Sequence, residues 1–420
     1  MPLLGAIADD FTGATDLCSM LVRNGMRAVQ MVGVPPAGYP VPDADALTVA
    51  LKSRTAPVAA ALEASLAALV WLRRAGCRQF FFKYCSTFDS TPEGNIGPVA
   101  EGLLDALGIP QTIYCPAFPE NGRTLYKGHL FVGDRLLSDT HMRHHPLTPM
   151  TDSNLVRWLG RQTRRRVGLA DYGVVSRGPE AIRAHLARLR DEGVAHVLVD
   201  ALEDAHLRAI GRACRDFSLI TGGSGVAMGL PENFRAAGLL PERSDADRLP
   251  PVAGYEAVLA GSCSAATLEQ VAVFQRRHPA LRLDPLELAR GLDLERVMAW
   301  ARPHLAQGPV LVYASAPPEE VARVQESLGR ERAGALVEQA LAAIATALVR
   351  EGTRRLVVAG GETSGAVVEA LGIRALRIGP AIDPGVPATV TLDEPHLALA
   401  LKSGNFGAPD FFLKAFRVMP

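Results

Sequence analysis

Two adjacent carboxylates follow the first apolar run of the chain. The segment LLGAIADDFTGATD (3–16) places Asp9 and Asp10 between a predicted strand and a predicted helix start. Carboxylates at such a junction can hold sugar hydroxyls, bind a metal ion, or accept a proton from an attacking alcohol. Capping of the helix by Asp10 or Thr12 is the simpler alternative. Because one cap does not need both aspartates, the pair favours a site that binds or activates a polar ligand.

Basic side chains stand in three polar segments of the same half of the chain. An ammonium or guanidinium group there can clamp a small anion such as a carboxylate, although solvated loop charge explains any one of them equally well. The residues are Lys52 and Arg54 in LKSRT, Lys83 in KYCSTFDSTPEGNIG, and Arg123 in ENGRTLYKGHL.

Lysine is scarce in this chain, and its positions are therefore informative. Of 44 basic residues only five are lysine, namely Lys52, Lys83, Lys127, Lys402 and Lys414. A genome rich in Arg codons explains the bias. An ammonium is nevertheless compact and a guanidinium planar, so the two are not interchangeable in a tight site. We expect Lys52, Lys83 and Lys402 to be required as lysine.

Three glycine-containing junctions share one design in the second half of the chain. Apolar runs end in GSCSAAT (261–267) and GGETSGA (360–366), each before a predicted helix, and LKSGNFG (401–407) places two glycines beside a lysine. Glycine lets the backbone approach a ligand, and helix-initiating N–H groups attract anions. Ordinary turn and cap chemistry explains any single junction. Several in one domain indicate a phosphate site, which is not a P-loop because G-x-x-x-x-G-K-[ST] does not occur.

The elements that must position these residues alternate between short apolar strands, such as those predicted at 3–8 and 79–83, and helices, such as the one predicted at 15–24. This order predicts an α/β fold with largely parallel sheets, whose ligands bind beyond the carboxyl ends of the strands. The proline-rich segment 231–254 predicts a linker, so we expect two α/β domains, 1–240 and 255–420. Segment 115–154 is rich in Pro, Gly, Asn and His without periodicity, and we expect a polar loop there rather than a metal site.

Composition and spacing exclude several functions. Lys+Arg and Asp+Glu both total 44, so a broad basic surface for nucleic acid or anionic lipid is not expected. Six cysteines without a C-x-x-C pair are typical of a reduced cytoplasmic protein, and neither a signal peptide nor a membrane helix is expected. The glycines of TGGSGVAMG (221–229) lack the dinucleotide-fingerprint spacing, and Pro231 is expected to leave no room for a following helix.

Seven segments together give the chain a family resemblance. They are IADDFTGATD (7–16), GNIG (94–97), TGGSG (221–225), AGSCS (260–264), GGETSG (360–365), DPGVP (383–387) and LKSGNFG (401–407). The chain resembles the four-carbon acid sugar kinases, which have an N-terminal substrate domain and a C-terminal nucleotide domain. KYCSTFDST is similar to the branch that acts on 3-oxo-tetronate, whereas threonate and erythronate kinases tend to carry Arg where Glu93 stands.

The resemblance implies a reaction and a set of roles. ATP would phosphorylate the 4-hydroxyl of 3-dehydro-erythronate to give 3-dehydro-4-phospho-erythronate, with Asp9 or Asp10 accepting the proton and Mg²⁺ bridging the phosphates. Glu362 would hold Mg²⁺ through water or only cap its helix; the metal ligands and the oligomeric state stay open, with a homodimer as one option. The residues implied to face the acid sugar are Asp9, Asp10, Lys52, Arg54, Lys83 and Asp89. Those implied to hold ATP are Ser262, Gly360, Gly361, Glu362, Thr363 and the turn from Gly404 to Gly407.

Three other functions remain open at this point. A kinase of threonate or erythronate would differ only in its substrate. An aspartate-nucleophile phosphatase matches DDFTGATD loosely, but its second aspartate would fall on Phe11 or Thr12. A sugar-acid sensor would leave the nucleotide-type junctions unexplained. The sequence therefore favours a cytoplasmic kinase whose partners are a small acid sugar and ATP.

Overall fold

The computed structural model describes residues 1–420, which divide into two units, 1–246 and 247–420. The division lies inside the proline-rich segment 231–254 that the sequence marks as a linker. Each unit contains its own set of strands flanked by helices, and the predicted α/β class is confirmed.

The strands of the first unit are β1 Leu4–Ala8, β2 Ala28–Val32, β3 Ala46–Ala50, β4 Gln79–Lys83, β5 Thr112–Cys115, β6 Arg123–Tyr126, β7 His129–Val132, β8 Arg135–Leu136, β9 Arg166–Ala170, β10 Val194–Val199 and β11 Leu219–Gly222. Eight of them form a wide parallel sheet with the order β2-β3-β1-β4-β11-β5-β10-β9. The first unit also contains helices. Its helices are α1 Phe11–Arg23, α2 Val58–Arg74, α3 Ile96–Leu107, α4 Leu155–Gln162, α5 Tyr172–Val175, α6 Pro179–Asp191, α7 Asp204–Ala213 and α8 Leu230–Ala236.

Strand β1 lies inside this sheet, between β3 and β4, and all five of its residues are buried. A strand that is buried on both faces has a continuous apolar sequence, as LGAIA does. Ala8 pairs with Ala50 on one side and with Lys83 on the other. The three strands therefore end at one edge, and the segments that follow them emerge side by side.

Segment 115–154 is not the irregular loop that the sequence predicts. It contains a three-stranded antiparallel sheet of β6, β7 and β8. Lys127 and Gly128 form the β6–β7 turn with φ of 48° and 73°, and the buried Asp200 carboxylate accepts both of their amides, at 2.5 and 2.9 Å. Strands of two to four residues are too short to show an alternating pattern, so the sequence does not predict them.

The second unit contains a mixed sheet with the order β13-β14-β12-β15-β18-β17-β16. The first five strands are parallel, whereas β17 runs antiparallel to both of its neighbours. The strands are β12 Tyr255–Ala260, β13 Ala280–Arg282, β14 Val310–Tyr313, β15 Thr353–Ala359, β16 Ala375–Asp383, β17 Val386–Thr391 and β18 Ala398–Lys402. The helices are α9 Ala265–Gln275, α10 Pro285–Leu288, α11 Leu294–Leu305, α12 Pro318–Leu328, α13 Arg330–Arg350, α14 Gly361–Ala370 and α15 Phe411–Val418.

Helix α13 is long and apolar enough to cross a membrane by length and composition alone. Leu341, Ile344 and Leu348 are fully buried on its inner face, and the helix packs against α14, β12 and β15. Apolar residues at three- and four-residue spacing against a sheet are typical of a core helix.

Pro231 does not prevent a helix, and that expectation is wrong. It occupies the first turn of α8, after the 3₁₀ segment Gly225–Gly229. Proline is favoured there because its fixed φ suits a helix start and the N–H it lacks has no partner within the helix.

Candidate active site

Asp9 and Asp10 follow β1 and share one guanidinium. Arg54 donates from Nε and Nη2 to the two carboxylate oxygens of Asp9, both at 2.9 Å, and from Nη2 to Asp10 Oδ1 at 2.6 Å. Asp9 is 5% exposed. A two-pronged pairing of this kind fixes both orientation and charge. The Arg54 guanidinium therefore faces the two aspartates and holds them in place beside the sheet edge.

Asp10 combines a structural contact with an altered proton affinity. Its Oδ1 accepts the amide of Gly13 at 3.0 Å and so caps α1. Desolvation raises the pKa of Asp10 above 3.8, Arg54 opposes this, and the neighbouring Asp9 charge adds to the increase. The cap does not exclude a chemical role, because the contacts with Gly13 and Arg54 both use Oδ1 and leave Oδ2 for a ligand.

Asn95, of the GNIG segment, explains how the loop after β3 is held. Its side-chain amide donates to the carbonyl oxygens of Ser53 at 2.7 Å and Ala56 at 2.8 Å. The backbone amides of Ser53 and Arg54 in turn donate to the carbonyl oxygen of Asp9 at 3.0 and 3.2 Å. The Asn95 side chain is therefore the tether that presents Arg54 to the carboxylates.

Lys83 lies at the end of β4 and is 3% exposed. Its ammonium donates to the carbonyl oxygen of Tyr84 at 3.0 Å. A Cβ at Gly13 would lie 2.9 Å from Lys83 Nζ and closer still to Asp10 Oδ1, so a larger residue at the start of α1 would displace one of these two side chains. Lys52, by contrast, lies on the loop after β3 with an exposed side chain.

The turn after β4 carries strain and an unsatisfied acceptor. Phe88 is buried with φ of 55° and its amide donates to the Cys85 carbonyl at 2.9 Å, a conformation that costs a bulky residue energy. The next residue is Asp89, whose buried Oδ1 accepts no hydrogen bond within the chain. Burial raises the pKa of the Cys85 thiol to about 11, Asp89 adds to the increase and Arg54 opposes it. Asp89 therefore offers a buried acceptor near the Arg54 cluster.

Asp16 and Ser224 belong to the same cluster and were not singled out by the sequence. The Ser224 hydroxyl donates to Asp16 Oδ2, which joins the loop after β11 to α1. Desolvation raises the pKa of Asp16, and the Lys83 charge opposes the increase. Both lie in recognised segments, IADDFTGATD and TGGSG, so polar side chains within those segments were the available signal.

The three glycine-containing junctions of the second unit meet at one sheet edge. Ala260, Ala359 and Lys402 pair side by side at the ends of β12, β15 and β18. The Ser262 amide donates to the Ala359 carbonyl at 3.2 Å, and the Gly360 amide donates to the Lys402 carbonyl at 2.9 Å. The structure therefore brings the predicted nucleotide residues together.

Lys402 is the buried cation of this edge, with 1% exposure. Its ammonium donates to Thr267 Oγ1 and to the Gly404 carbonyl, both at 2.9 Å. The Ser264 hydroxyl donates to the same carbonyl at 2.6 Å. Desolvation lowers the pKa of Lys402 from 10.5 to about 8. The side chains of Ser264, Thr267 and Lys402 therefore all donate to the Gly404 carbonyl, where the turn begins.

Two glycines allow close approach between the junctions. A Cβ at Gly404 would lie 2.4 Å from Ser262 Oγ, and one at Gly360, whose φ is 129°, would lie 2.8 Å from Thr363 Oγ1. A Cβ at Gly361 would meet nothing within 4 Å. The N-terminus of α14 is therefore open to a ligand, while the turns around it are tightly packed.

The far side of the turn at Gly407 is held by residues that sequence reasoning missed. Gln270 Nε2 donates to the Gly407 carbonyl at 3.0 Å, and the Ala408 amide donates to Asp383 Oδ2 at 2.9 Å. Lys414 forms an ion pair with the same aspartate. Asp383, in the DPGVP segment, therefore has a structural role in holding the end of this turn. Lys414 supports that role through its ion pair with Asp383.

A cleft of about 770 Å³ opens beside these junctions in the second unit. Gly261, Cys263, Glu362, Thr363 and Arg282 are among the residues that line it. Glu362 is exposed in the first turn of α14. Pockets of this volume are typical of small-molecule and cofactor sites, and a helix N-terminus with glycine loops is suited to phosphate.

The fold and the two sites define a two-domain, nucleotide-dependent sugar kinase. Residues 4–230 match the family model of a sugar-binding N-terminal domain, and residues 257–412 match that of a nucleotide-binding C-terminal domain. The chain belongs to the four-carbon acid sugar kinase family. The family, the enzyme class and the nucleotide-binding domain that the sequence predicts are therefore confirmed.

Individual relatives span the whole chain. It is 62% identical to a 3-oxo-tetronate kinase of Cupriavidus necator, over 99% of this chain and 97% of the relative. It is 45% identical to a 3-oxo-tetronate kinase of Salmonella typhimurium, over 99% and 98%. A crystal structure from Salmonella typhimurium LT2 with a provisional tRNA synthase name superposes with a TM-score of 0.91 at 43% identity, covering 100% of both chains. A Haemophilus influenzae structure gives 0.87 at 41%, covering 98% and 99%.

Proposed function

We propose that this kinase transfers the γ-phosphoryl group of ATP to the 4-hydroxyl of 3-dehydro-erythronate, giving 3-dehydro-4-phospho-erythronate and ADP. Full-length relatives at 45–62% identity carry the name 3-oxo-tetronate kinase. The observation that carries the proposal is the half-buried Asp10 carboxylate at the sheet edge of the sugar-binding unit, whose Oδ1 accepts from Gly13 and Arg54 and whose pKa is raised by desolvation.

Asp10 is the proton acceptor in this proposal. As the 4-hydroxyl oxygen forms its bond to the γ-phosphorus, its proton passes to Asp10 Oδ2. The bond between the γ-phosphorus and the bridging oxygen breaks, and ADP leaves with the electron pair. Asp9 is less suited, because both of its oxygens accept from Arg54. A carboxyl with a raised pKa is a better match to an alcohol proton than an ordinary one.

The other predicted sugar residues divide into three roles. Arg54, directed at Asp9 and Asp10, positions the carboxylates. Asp89 offers its buried oxygen to a substrate hydroxyl, while Lys83 and Lys52 supply positive charge for the substrate carboxylate. Buried acceptors without a partner are costly, so a hydroxyl at Asp89 would contribute binding energy.

In this proposal the nucleotide binds at the sheet edge of the second unit. Ser262, the turn from Gly404 to Gly407 and the free amides at the start of α14 surround the phosphates. Mg²⁺ in kinases is held by one or two carboxylates together with phosphate oxygens and water, and the exposed Glu362 carboxylate at the start of α14 fits that donor set. When bound there, Mg²⁺ neutralises phosphate charge.

An ADP-release assay tests the proposal against its alternatives. The panel contains D- and L-erythronate, D- and L-threonate and their 3-oxo forms. Release that depends on a 3-oxo acid supports the proposal, whereas faster release with a hydroxy acid would assign the threonate or erythronate kinase activity. Phosphate released without ATP would indicate a phosphatase, and thermal stabilisation without turnover would indicate a sensor.

Cytoplasmic location and a homodimer are tested separately, by fractionation and by light scattering.

A further inference from the structure

Asp16 lies on α1, beyond Asp10, and its carboxylate accepts the hydroxyl of Ser224. Ser224 is buried in the loop that follows β11. We propose that Asp16 is a positioning residue of the phosphoryl-transfer site: Ser224 holds it where it shares the Lys83 ammonium with Asp10, and it thereby limits how strongly Lys83 supports ionised Asp10. This inference rests on the proposed role of Asp10.

One cation, the Lys83 ammonium, acts electrostatically on both carboxylates. Lys83 ends β4, which pairs directly with β1, the strand that leads into Asp10. A Cβ at Gly13 would lie 2.9 Å from the Lys83 ammonium, and Asp16 follows Gly13 by three residues on α1, which places it on the same face of the helix. The Lys83 charge lowers the pKa of both Asp10 and Asp16, while desolvation raises both. A single ammonium between two such groups cannot fully neutralise either of them.

The other charges around the two aspartates do not take over this role. Besides Lys83, Asp16 faces Glu120 and Arg23, which pair with each other at 2.9 Å. Asp10 faces Arg54, Asp9 and Lys83, and the Arg54 guanidinium is already forked onto Asp9. Lys83 is therefore the charged group common to both aspartates, and Asp16 is the competitor that can be removed without touching Arg54.

The test is the pH dependence of kcat/KM for the acid sugar in the full-length enzyme. Asp16→Asn keeps the shape and removes the charge, so Asp16 no longer competes with Asp10 for the Lys83 ammonium. An opposite charge lowers a carboxyl pKa by roughly 1–3 units when it is close, and we expect the acid limb to move to lower pH by about 0.5 unit or more on that scale. Ser224→Ala keeps the Asp16 charge and frees it toward Lys83, so its acid limb does not move to lower pH.

An acid limb of Asp16→Asn that coincides with that of the wild type overturns the inference, whatever happens to the plateau rate. If Asp16→Asn does not fold, Asp16→Ser replaces it, since it also removes the charge and carries the same expectation. Asp10→Asn separates the two proposals: a loss of less than about 10-fold in kcat would refute the base role of Asp10, which is expected to be worth roughly 10²-fold or more. A normal acid limb in Asp16→Asn with an inactive Asp10→Asn refutes only the role of Asp16.

Discussion

Lys402 gives the most quantitative test of the nucleotide site. Its ammonium is buried and donates to Thr267 Oγ1 and the Gly404 carbonyl. Lys402→Met removes the charge and both hydrogen bonds while an unbranched side chain of similar length fills the space. The turn from Gly404 to Gly407 then loses one of its anchors, and the proposed phosphate site loses a cation.

The stability change should be small because two contributions oppose each other. Desolvation lowers the pKa of Lys402 from 10.5 to about 8, which corresponds to a cost of about 3 kcal/mol for keeping the buried ammonium charged at neutral pH. Its two hydrogen bonds, being charge-assisted, return about 1.5 kcal/mol each. Lys402→Met removes both contributions, so we expect its Tm to stay within about 5 °C of the wild type.

The pH dependence of stability carries the sign of this pKa change. Between about pH 8 and 10.5 the unfolded chain still holds the Lys402 proton that the folded protein has released. The free energy of unfolding therefore rises with pH across that window in the wild type, and the full cost of burial is present below it. Lys402→Met should lose this rise, which chemical denaturation at pH 7.5 and 10 measures.

Steady-state kinetics and the melting temperature together test whether Lys402 contributes to ATP binding. We expect Lys402→Met to raise the KM for ATP by about 10-fold or more, which corresponds to about 1.4 kcal/mol. Lys414→Met is the matched control, since its ammonium is 39% exposed and pairs with Asp383; it should change the KM for ATP less than the Lys402 variant does. An unchanged KM for ATP in Lys402→Met would refute the assignment. Full stability and activity in Lys402→Arg would refute the size argument, because a guanidinium cannot satisfy five donors there.

Three further changes test other parts of the two sites. Gly361→Val, at a position with open space around it, should raise the KM for ATP about 10-fold with an unchanged Tm; normal nucleotide affinity would remove α14 from the site. Asn95→Ala breaks the tether of the Arg54 loop, and we expect a kcat loss together with about 1–3 kcal/mol of destabilisation; a destabilised enzyme with full kcat would make the tether purely structural. Gly404→Ala forces a Cβ against Ser262 Oγ and should weaken ATP binding without affecting the KM of the acid sugar.

Much of the fold follows from short apolar runs bounded by polar turns. The predicted strand at 79–83 coincides with β4, and β1 begins one residue later than predicted. Helix α1 begins at Phe11 rather than at the predicted Thr15, because Asp10 caps it. The antiparallel β16–β17 pair was missed, since Pro384 and Gly385 between the two strands read as loop and the pairing is a tertiary choice.

The candidate site was predictable in residue type and much less so in contacts. Two adjacent aspartates after a buried strand indicated chemistry, and the structure adds that Arg54 is directed at them. That direction depends on Asn95, which lies 41 residues further along the chain. The Asp16–Ser224 contact joins residues separated by 208 positions. Spacing along a sequence carries no information about contacts that only the parallel sheet brings together.

Each of the two units contains one buried lysine, and the two lysines are informative for different reasons. Each ends a parallel strand and donates to a nearby carbonyl, Lys83 to Tyr84 and Lys402 to Gly404. Lys83 faces aspartates, whereas desolvation is the cause of the lowered pKa of Lys402. An isolated buried ammonium is costly until an anion approaches it. A nucleotide phosphate at this edge would offset that cost, so ATP should stabilise the wild type more than Lys402→Met, and equal stabilisation of both would place the phosphates elsewhere.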